Sequence, residues 1–433
     1  MTLEKMGIPT APMVTIAFKD LALSNSAQRG MPHERICFTP HPVWGKSPEE
    51  MYAYLEGNDP VSGKALMKEV VGALTNPLTA DEMKSGTTTP STGPEFWEDT
   101  ADNLQKYYMN NGMTDFMPIV LPTEERVATM LKGTGHAADE SVGKMCPAKG
   151  SYPEWSYNVK QVAINAVMAG AEPEFFPTIL AIAASQLPAM SSSTNSFATA
   201  VVINGPIRDK LNMNYGIGAM GPFAQPNATI GRAWTLLSKN LGTCGQAGMT
   251  YLGTLGNNLN YNNLVIAENE KESPYPAFHV DKGFKPDESV VSVFVGMDIR
   301  QGQGGAGLGI KPVPHYHEAF AFNFSNMAPL FGGMVVCDPL VAKGLVELGY
   351  DSKPKLYDWL LQNSTISVKD AKSSLFGARF AQGPHANDPD DARVPLWRSV
   401  EQITMVVVGG ETNPYHMVAN MTYRGSVSID KWS

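Results

Sequence analysis

TAPMVTIAF (residues 10–18), KDLALSNSAQ (19–28) and RICFT (35–39) follow one another near the start of the sequence. The first is a short apolar run that predicts a buried strand, the second predicts a helix, and the third returns to a strand. Strand, helix and strand in succession make an α/β opening. Immediately upstream, residues 3–6 followed by Gly7, Ile8 and Pro9 read as a helix that ends at a glycine cap and hands over to the strand.

Working outward, the chain has 433 residues, of which 43% are hydrophobic, enough to bury more than one core and to exclude a disordered protein. A net charge of -9 offers no basic footprint for nucleic acid or for an anionic membrane surface, so a small molecule or a protein is the expected partner. Cys37, Cys146, Cys244 and Cys337 are far apart and form no CxxC pair, which argues against a disulfide framework or a thiolate zinc site and fits a reducing, cytoplasmic setting. Residues 1–12 carry no long apolar core, so neither a signal peptide nor a membrane span is expected there. The 23 methionines read as adaptable core filling.

Residues 47–74 show an amphipathic helical pattern, and 79–100 (TADEMKSGTTTPSTGPEFWEDT) is loop-rich and marks a domain boundary. Beyond it, 116–122 is strand-like, 124–132 helical, and 159–169 and 175–185 are apolar helices separated by Gly170 and Pro173. Residues 198–204 (ATAVVIN) form a β-rich run ending in Gly205 and Pro206. Further strands are expected at 263–267, 289–296, 334–337 and 403–408, with helices at 339–348 and 355–362. No repeat period stands out.

The segment 216–233 (GIGAMGPFAQPNATIGRA) leads an unusual backbone path into a helix for which Asn227 is a natural N-cap. Free N–H groups at such a start favour an anion, with Arg232 as a charged clamp; the competing reading is a capped helix after a tight loop. The bare GxGxxG match at Gly216, Gly218 and Gly221 has no acidic partner near twenty residues on, and the glycine-rich run at 302–309 lacks the Lys-Ser or Lys-Thr of a phosphate loop and reads as a mobile loop or lid.

Glu268, Asn269 and Glu270 follow the predicted strand 263–267, a common position for acid–base groups, and a loop folding back would bring Glu268 or Glu270 to His279 as a proton-transfer pair. Surface charge is the plainer alternative. His315 and His317 (PHYHE), taken as alternate residues of a strand, offer two imidazoles to a divalent metal, with ordinary loop histidines as the alternative. Cys146 in KMCPAKG has Lys144 and Lys149 nearby, an electropositive setting that lowers a thiol pKa, against the reading of a buried structural cysteine. His136, His385 and His416 sit in turn-like sequence and suggest no site.

VAINAVMAG (162–170), VVINGPI (201–207), NATIGRA (227–233) and AENEKESPYPAFHVDKGF (267–284), together with GIPTAPMVTIAF from Gly7 onward and VVVGGE at 406–411, resemble the UGSC family of large bacterial proteins, named for a selenocysteine or cysteine followed by Gly-Ser-Cys. The resemblance implies a redox motif ahead of the strand at 8–18, in a small domain whose first half precedes residue 1. No Cys-Gly-Ser-Cys occurs in this chain. Either a separate small subunit supplies the motif or its chemistry is lost, and the helix-tail opening favours the split chain.

The expected architecture is α/β: a small, Rossmann-like N-terminal half-domain (1–78) completed by a partner chain, a loop-rich linker (79–115), and a larger mixed α/β substrate-binding and catalytic domain (116–433). The expected function is the large subunit of a hetero-oligomeric enzyme that cleaves a carbon–heteroatom bond in a small organic substrate with a partner's thiol or selenol. Glu268, Glu270, His279 and Cys146 are the catalytic candidates, and Asn204, Asn227, Thr229, Arg232 and Asn269 the substrate-binding ones. A metal-dependent hydrolase or lyase using His315 and His317, and a noncatalytic assembly subunit, are the alternatives.

Overall fold

The computed structural model describes residues 2–84, 97–301, 315–327, 332–374 and 377–433. The glycine-rich run at 302–309 and residues 85–96 of the expected linker lie outside the described residues.

In the N-terminal segment, β1 (Met13–Thr15) and β2 (Cys37–Thr39) pair in parallel, Met13 opposite Cys37, with the helix Lys19–Gln28 between them. The expected strand at 10–18 is cut short because Ile16–Phe18 turns as a 3₁₀ helix. The single helix expected over 47–74 is two, Pro48–Glu56 and Leu66–Thr75. Asp59 forms the turn between them: Oδ1 accepts the N–H groups of Val61 and Ser62, and Oδ2 accepts the Phe38 N–H of β2 at 2.6 Å. Arg35 grips both oxygens of Glu82 at 2.6 and 2.8 Å and holds that carboxyl down to about 2. Asn25 Nδ2 and Arg29 Nη2 donate to the carbonyls of Ser151 and Gly150, tying this segment to the rest of the chain.

After the hairpin of β3 (Ser141–Met145) and β4 (Trp155–Asn158) come the helices Val159–Ala169 and Phe176–Ala184. Asn158 and Gln161 form a reciprocal capping box at the first helix, and Gly170, at φ +80°, ends it. Residues 116–122 are not a strand: Phe116 turns at φ +65° and no ladder forms.

The main sheet contains β5 (Ala198–Asn204), β6 (Leu264–Ala267), β7 (Val290–Gln301) and β8 (Gly333–Cys337). A small antiparallel pair, β9 (Thr365–Ser367) with β10 (Arg393–Pro395), lies outside it. The last two strands of the main sheet are β11 (Ile403–Val407) and β12 (His416–Ser428). Their order is β11-β8-β12-β7-β5-β6, with β5 and β6 parallel, β8 and β11 parallel, and the other pairs antiparallel.

Read from either edge this order is the same: second strand, first strand, long third strand. Each half is a strand, a helical crossover, a parallel strand and a long antiparallel strand, and β7 and β12 join the halves at the centre. The sequence showed no such repeat because the two crossovers and returns differ in length. The β5 and β6 starts are 66 residues apart and the β8 and β11 starts 70 (264 − 198 and 403 − 333).

The sheet curls on itself. Side chains that alternate along the six strands gather into one core, among them Ala200, Ile266, Phe294, Val336, Val406 and Ala419. The opposite faces bury against helices: Val201 and Val265 with Val159–Ala169, Phe176–Ala184 and Gln225–Asn240, and Val335 and Met405 with Tyr316–Phe324, Pro339–Glu347 and Lys353–Asn363. Strands buried on both faces explain the apolar runs at 198–203 and 403–408, each interrupted only by one threonine, Thr199 and Thr404. No described helix is long and apolar enough to cross a membrane.

Candidate functional site

The polar cluster forms where the two sheet edges meet. Glu268 N–H donates to Ile203 O, and its counterpart Val408 N–H to Cys337 O, so Glu268 in the first half occupies the place of an apolar valine in the second. Asn269 continues across the seam: its N–H donates to Val407 O at 2.8 Å and its Nδ2 to Gly409 O at 2.9 Å.

Glu268 is fully buried, and its Oε2 accepts Asn204 Nδ2 at 2.5 Å and the Phe278 N–H at 2.7 Å. Its Oε1 has no hydrogen-bond partner among the described residues, nor has Asn204 Oδ1. Burial pushes the Glu268 carboxyl above its ordinary range; the charge of Lys353 and the Phe278 and Asn204 hydrogen bonds oppose this, and the charge of Glu270 adds to it.

Glu270 accepts the same Asn204 Nδ2 at 2.9 Å and the Gly205 N–H at 2.9 Å on Oε1, while its Oε2 meets Arg208 Nη2 at 2.7 Å. Arg208, 4% exposed, also donates to the carbonyls of Gly205 and Glu268 and lies under the Tyr215 ring. The backbone at Gly205 requires glycine: φ is +85° and a Cβ would stand 2.2 Å from Glu288 O. Two carboxyl groups thus share one amide in different environments, Glu270 matched by a guanidinium and Glu268 without a direct cationic partner.

The Asn204 amide joins Glu268 and Glu270, while the Asn269 side chain turns to Glu272 and Gly409. His279 follows Phe278 on the short helix Phe278–Asp281; it is fully buried, and neither ring nitrogen has a partner among the described residues. The chain does fold back, but no hydrogen bond joins the imidazole to either carboxyl. Lys353, buried at the start of its helix, donates to Pro276 O at 2.8 Å and to Asp281 Oδ2 at 2.6 Å, on either side of Phe278 and His279.

The other candidates lie apart from this cluster. Asn227 is not an N-cap: the helix begins at Gln225, Ala224 holds the cap position, and Pro226 occupies the first turn. The Asn227 amide instead accepts from Asn214 N–H and donates to Asn214 O, Thr229 Oγ1 donates to Gln225 O, and Arg232 is fixed on both oxygens of Asp115 and on Pro118 O. These groups spend their hydrogen bonds on the fold, so the expected anion clamp does not form. Cys146 is 5% exposed, and burial raises its thiol more than Lys149 and Arg29 lower it, reversing the expected activation.

His315 and His317 are not on a strand. They flank Tyr316 at the start of the helix Tyr316–Phe324, their ring centroids 6.5 Å apart, and His317 packs against Tyr350 and Trp359. Residues two apart on a helix diverge, which removes the premise of the paired imidazoles. Among the described residues no cluster of three or more His, Cys, Asp or Glu side chains could hold a metal. His416 is likewise not in a turn but opens β12, 2% exposed, and burial pushes its pKa down to about 4.

Sequence reasoning missed Arg208 and Lys353. The first follows the strand-ending turn NGP and could have been sought there; the second is an ordinary helix residue in sequence and acquires its role only by packing.

The sequence model of the UGSC family matches residues 1–76, so the N-terminal segment resembles that family. The other quoted segments of resemblance, from Val162 onward, fall outside the matched span. No curated protein and no solved structure was found to match the chain.

Proposed function

We propose that this chain is the larger subunit of a hetero-oligomeric enzyme that cleaves a carbon–heteroatom bond in a small organic substrate, using a thiol or selenol from a smaller partner subunit. The observation that carries the catalytic part is Glu268: a fully buried carboxyl with one oxygen held by Asn204 and Phe278 and the other unpartnered. A carboxylic acid kept neutral by burial is a proton donor at neutral pH.

In the proposed reaction the partner's thiolate or selenolate bonds to the substrate carbon as the carbon–heteroatom bond breaks. The heteroatom leaves with that electron pair and takes the proton of Glu268. A second thiol then attacks the bound sulfur or selenium, and the carbon takes the released pair and a proton. The substrate gains two electrons, the thiol pair becomes a disulfide or selenenyl sulfide, and an external dithiol reductant restores it.

The partner is supported by the N-terminal segment. More than half of the exposed large hydrophobic side chains among the described residues lie at or before Met83, including Met6, Trp44, Tyr52, Val71 and Leu78. The parallel pair β1 and β2 has three residues per strand and no third strand among the described residues, whereas parallel sheets are normally covered on both faces. On this reading 1–78 is a Rossmann-like half-domain that a partner completes, 79–115 is a linker and 116–433 is the catalytic domain. Four unpaired cysteines suit a reducing, cytoplasmic setting.

Native mass spectrometry of protein purified from its source cells tests this. A smaller co-purifying chain bearing a Cys-Gly-Ser-Cys or selenocysteine motif is the expected result. A homo-oligomer without a second chain would overturn the split-site reading.

A further inference from the structure

We propose that Lys353 is the positioning residue that sets the proton affinity of Glu268, acting from the second half of the sheet through the 276–281 turn. This rests on the reading of Glu268 as a proton donor. Lys353 opens the second helix after β8, while Glu268 directly follows β6 in the other half. The ammonium donates to Pro276 O at 2.8 Å and to Asp281 Oδ2 at 2.6 Å, and between those anchors the Phe278 N–H donates to Glu268 Oε2 at 2.7 Å. One buried cation therefore fixes the peptide that holds the carboxyl.

The same neighbourhood adds a second tie, since Tyr275 Oη donates to Tyr350 O at 2.6 Å, three residues before Lys353. A lysine that is 2% exposed is costly to bury without matched partners, and the Pro276 carbonyl and Asp281, whose side chain is 30% exposed, supply them. Among the described residues Asp281 is the only carboxylate bonded to it, and Glu268 receives its field without a bond. Among the described residues, Glu270 with Arg208 on its own side, and Cys337 and Tyr357 from the second half, also face Glu268. Removing the ammonium removes the one positive charge whose field favours ionised Glu268 in that set apart from Arg208, which Glu270 already neutralises.

The test follows the infrared carbonyl band of protonated Glu268 in the full chain, assigned by its loss in Glu268→Gln, as a function of pH. Thermal unfolding is measured alongside. Lys353→Met is expected to carry the band to a pH higher by about one unit, a tenfold rise in proton affinity, and Lys353→Arg to restore the wild-type midpoint. Asp281→Asn, which frees the ammonium of its counter-charge, is expected to move the midpoint down, and decides the matter if Lys353→Met does not fold. Lower thermal stability with an unchanged midpoint, or shifts of the opposite sign, would overturn the role of Lys353. If the wild-type chain shows no Glu268 band at neutral pH, it is instead the proton-donor reading that fails.

Discussion

Asn269 and Gly409, at the ends of the two outermost strands of the sheet, are joined by a 2.9 Å hydrogen bond from Nδ2 to the glycine carbonyl, although 140 residues separate them. The bond closes the curled sheet at the end where Glu268 lies. The Asn269 side chain also donates to Glu272 Oε2 and accepts from Glu272 N–H, so it satisfies the turn after β6 and the seam together.

Replacing Asn269 with alanine is expected to cost about 1 kcal/mol, because it removes the hydrogen bonds to the part-buried Gly409 carbonyl and the Glu272 N–H. Urea unfolding measures this. A variant as stable as the wild type would show that the seam contributes nothing to the fold.

Glu268 makes stability depend on pH. The unfolded chain ionises this group near 4.5 while the folded chain keeps its proton to higher pH. Its contribution is therefore fully present below 4.5 and declines as pH rises toward the raised folded value, by at most about 1.4 kcal/mol per pH unit. Glu268→Gln removes that decline. Parallel stability profiles for the two proteins above pH 4.5 would show that the carboxyl is ionised in the fold.

His416 acts with the opposite sign. Burial lowers its pKa from 6.5 to about 4, so the neutral imidazole's contribution is intact above 6.5 and is lost as pH falls toward 4. Such a shift corresponds to about 3 kcal/mol. In His416→Gln the acid-side loss of stability between those values should shrink, as read from denaturant midpoints at a series of pH values.

All four cysteines are buried and burial raises each thiol. Iodoacetamide at pH 8 is expected to leave them unlabelled in the native chain and to label all four in urea. Rapid modification of Cys146 in the native state would restore it as a nucleophile candidate.

Much of the secondary structure was legible. Lys19–Gln28, Val159–Ala169 and Ala198–Asn204 fall where the apolar pattern and the flanking Gly and Pro residues put them. The longest strand, β12, was not, because its thirteen residues include Asn420, Arg424 and Gly425 and two register shifts break its alternation against β7. The placement of carboxyl groups at a strand end was also readable, since Glu268 and Glu270 directly follow four buried apolar residues. The anion clamp failed because Arg232 finds Asp115, 117 residues away, and Asn227 finds Asn214, 13 residues away.

By itself, then, the sequence determined an α/β chain with doubly buried strands, and an acidic pair poised at the end of one of them, because local apolar runs and the breaks that end them are properties of neighbouring residues. Tertiary structure decided which polar groups are left without partners. Burial raises the Glu268 carboxyl, Asn204 and the field of Lys353 pull it back, and Arg208 pairs with Glu270, groups that arrive from β5, the opposite half of the sheet and the turn beyond β5. Burial and long-range pairing set protonation, and neither is written in the spacing of residues along the chain.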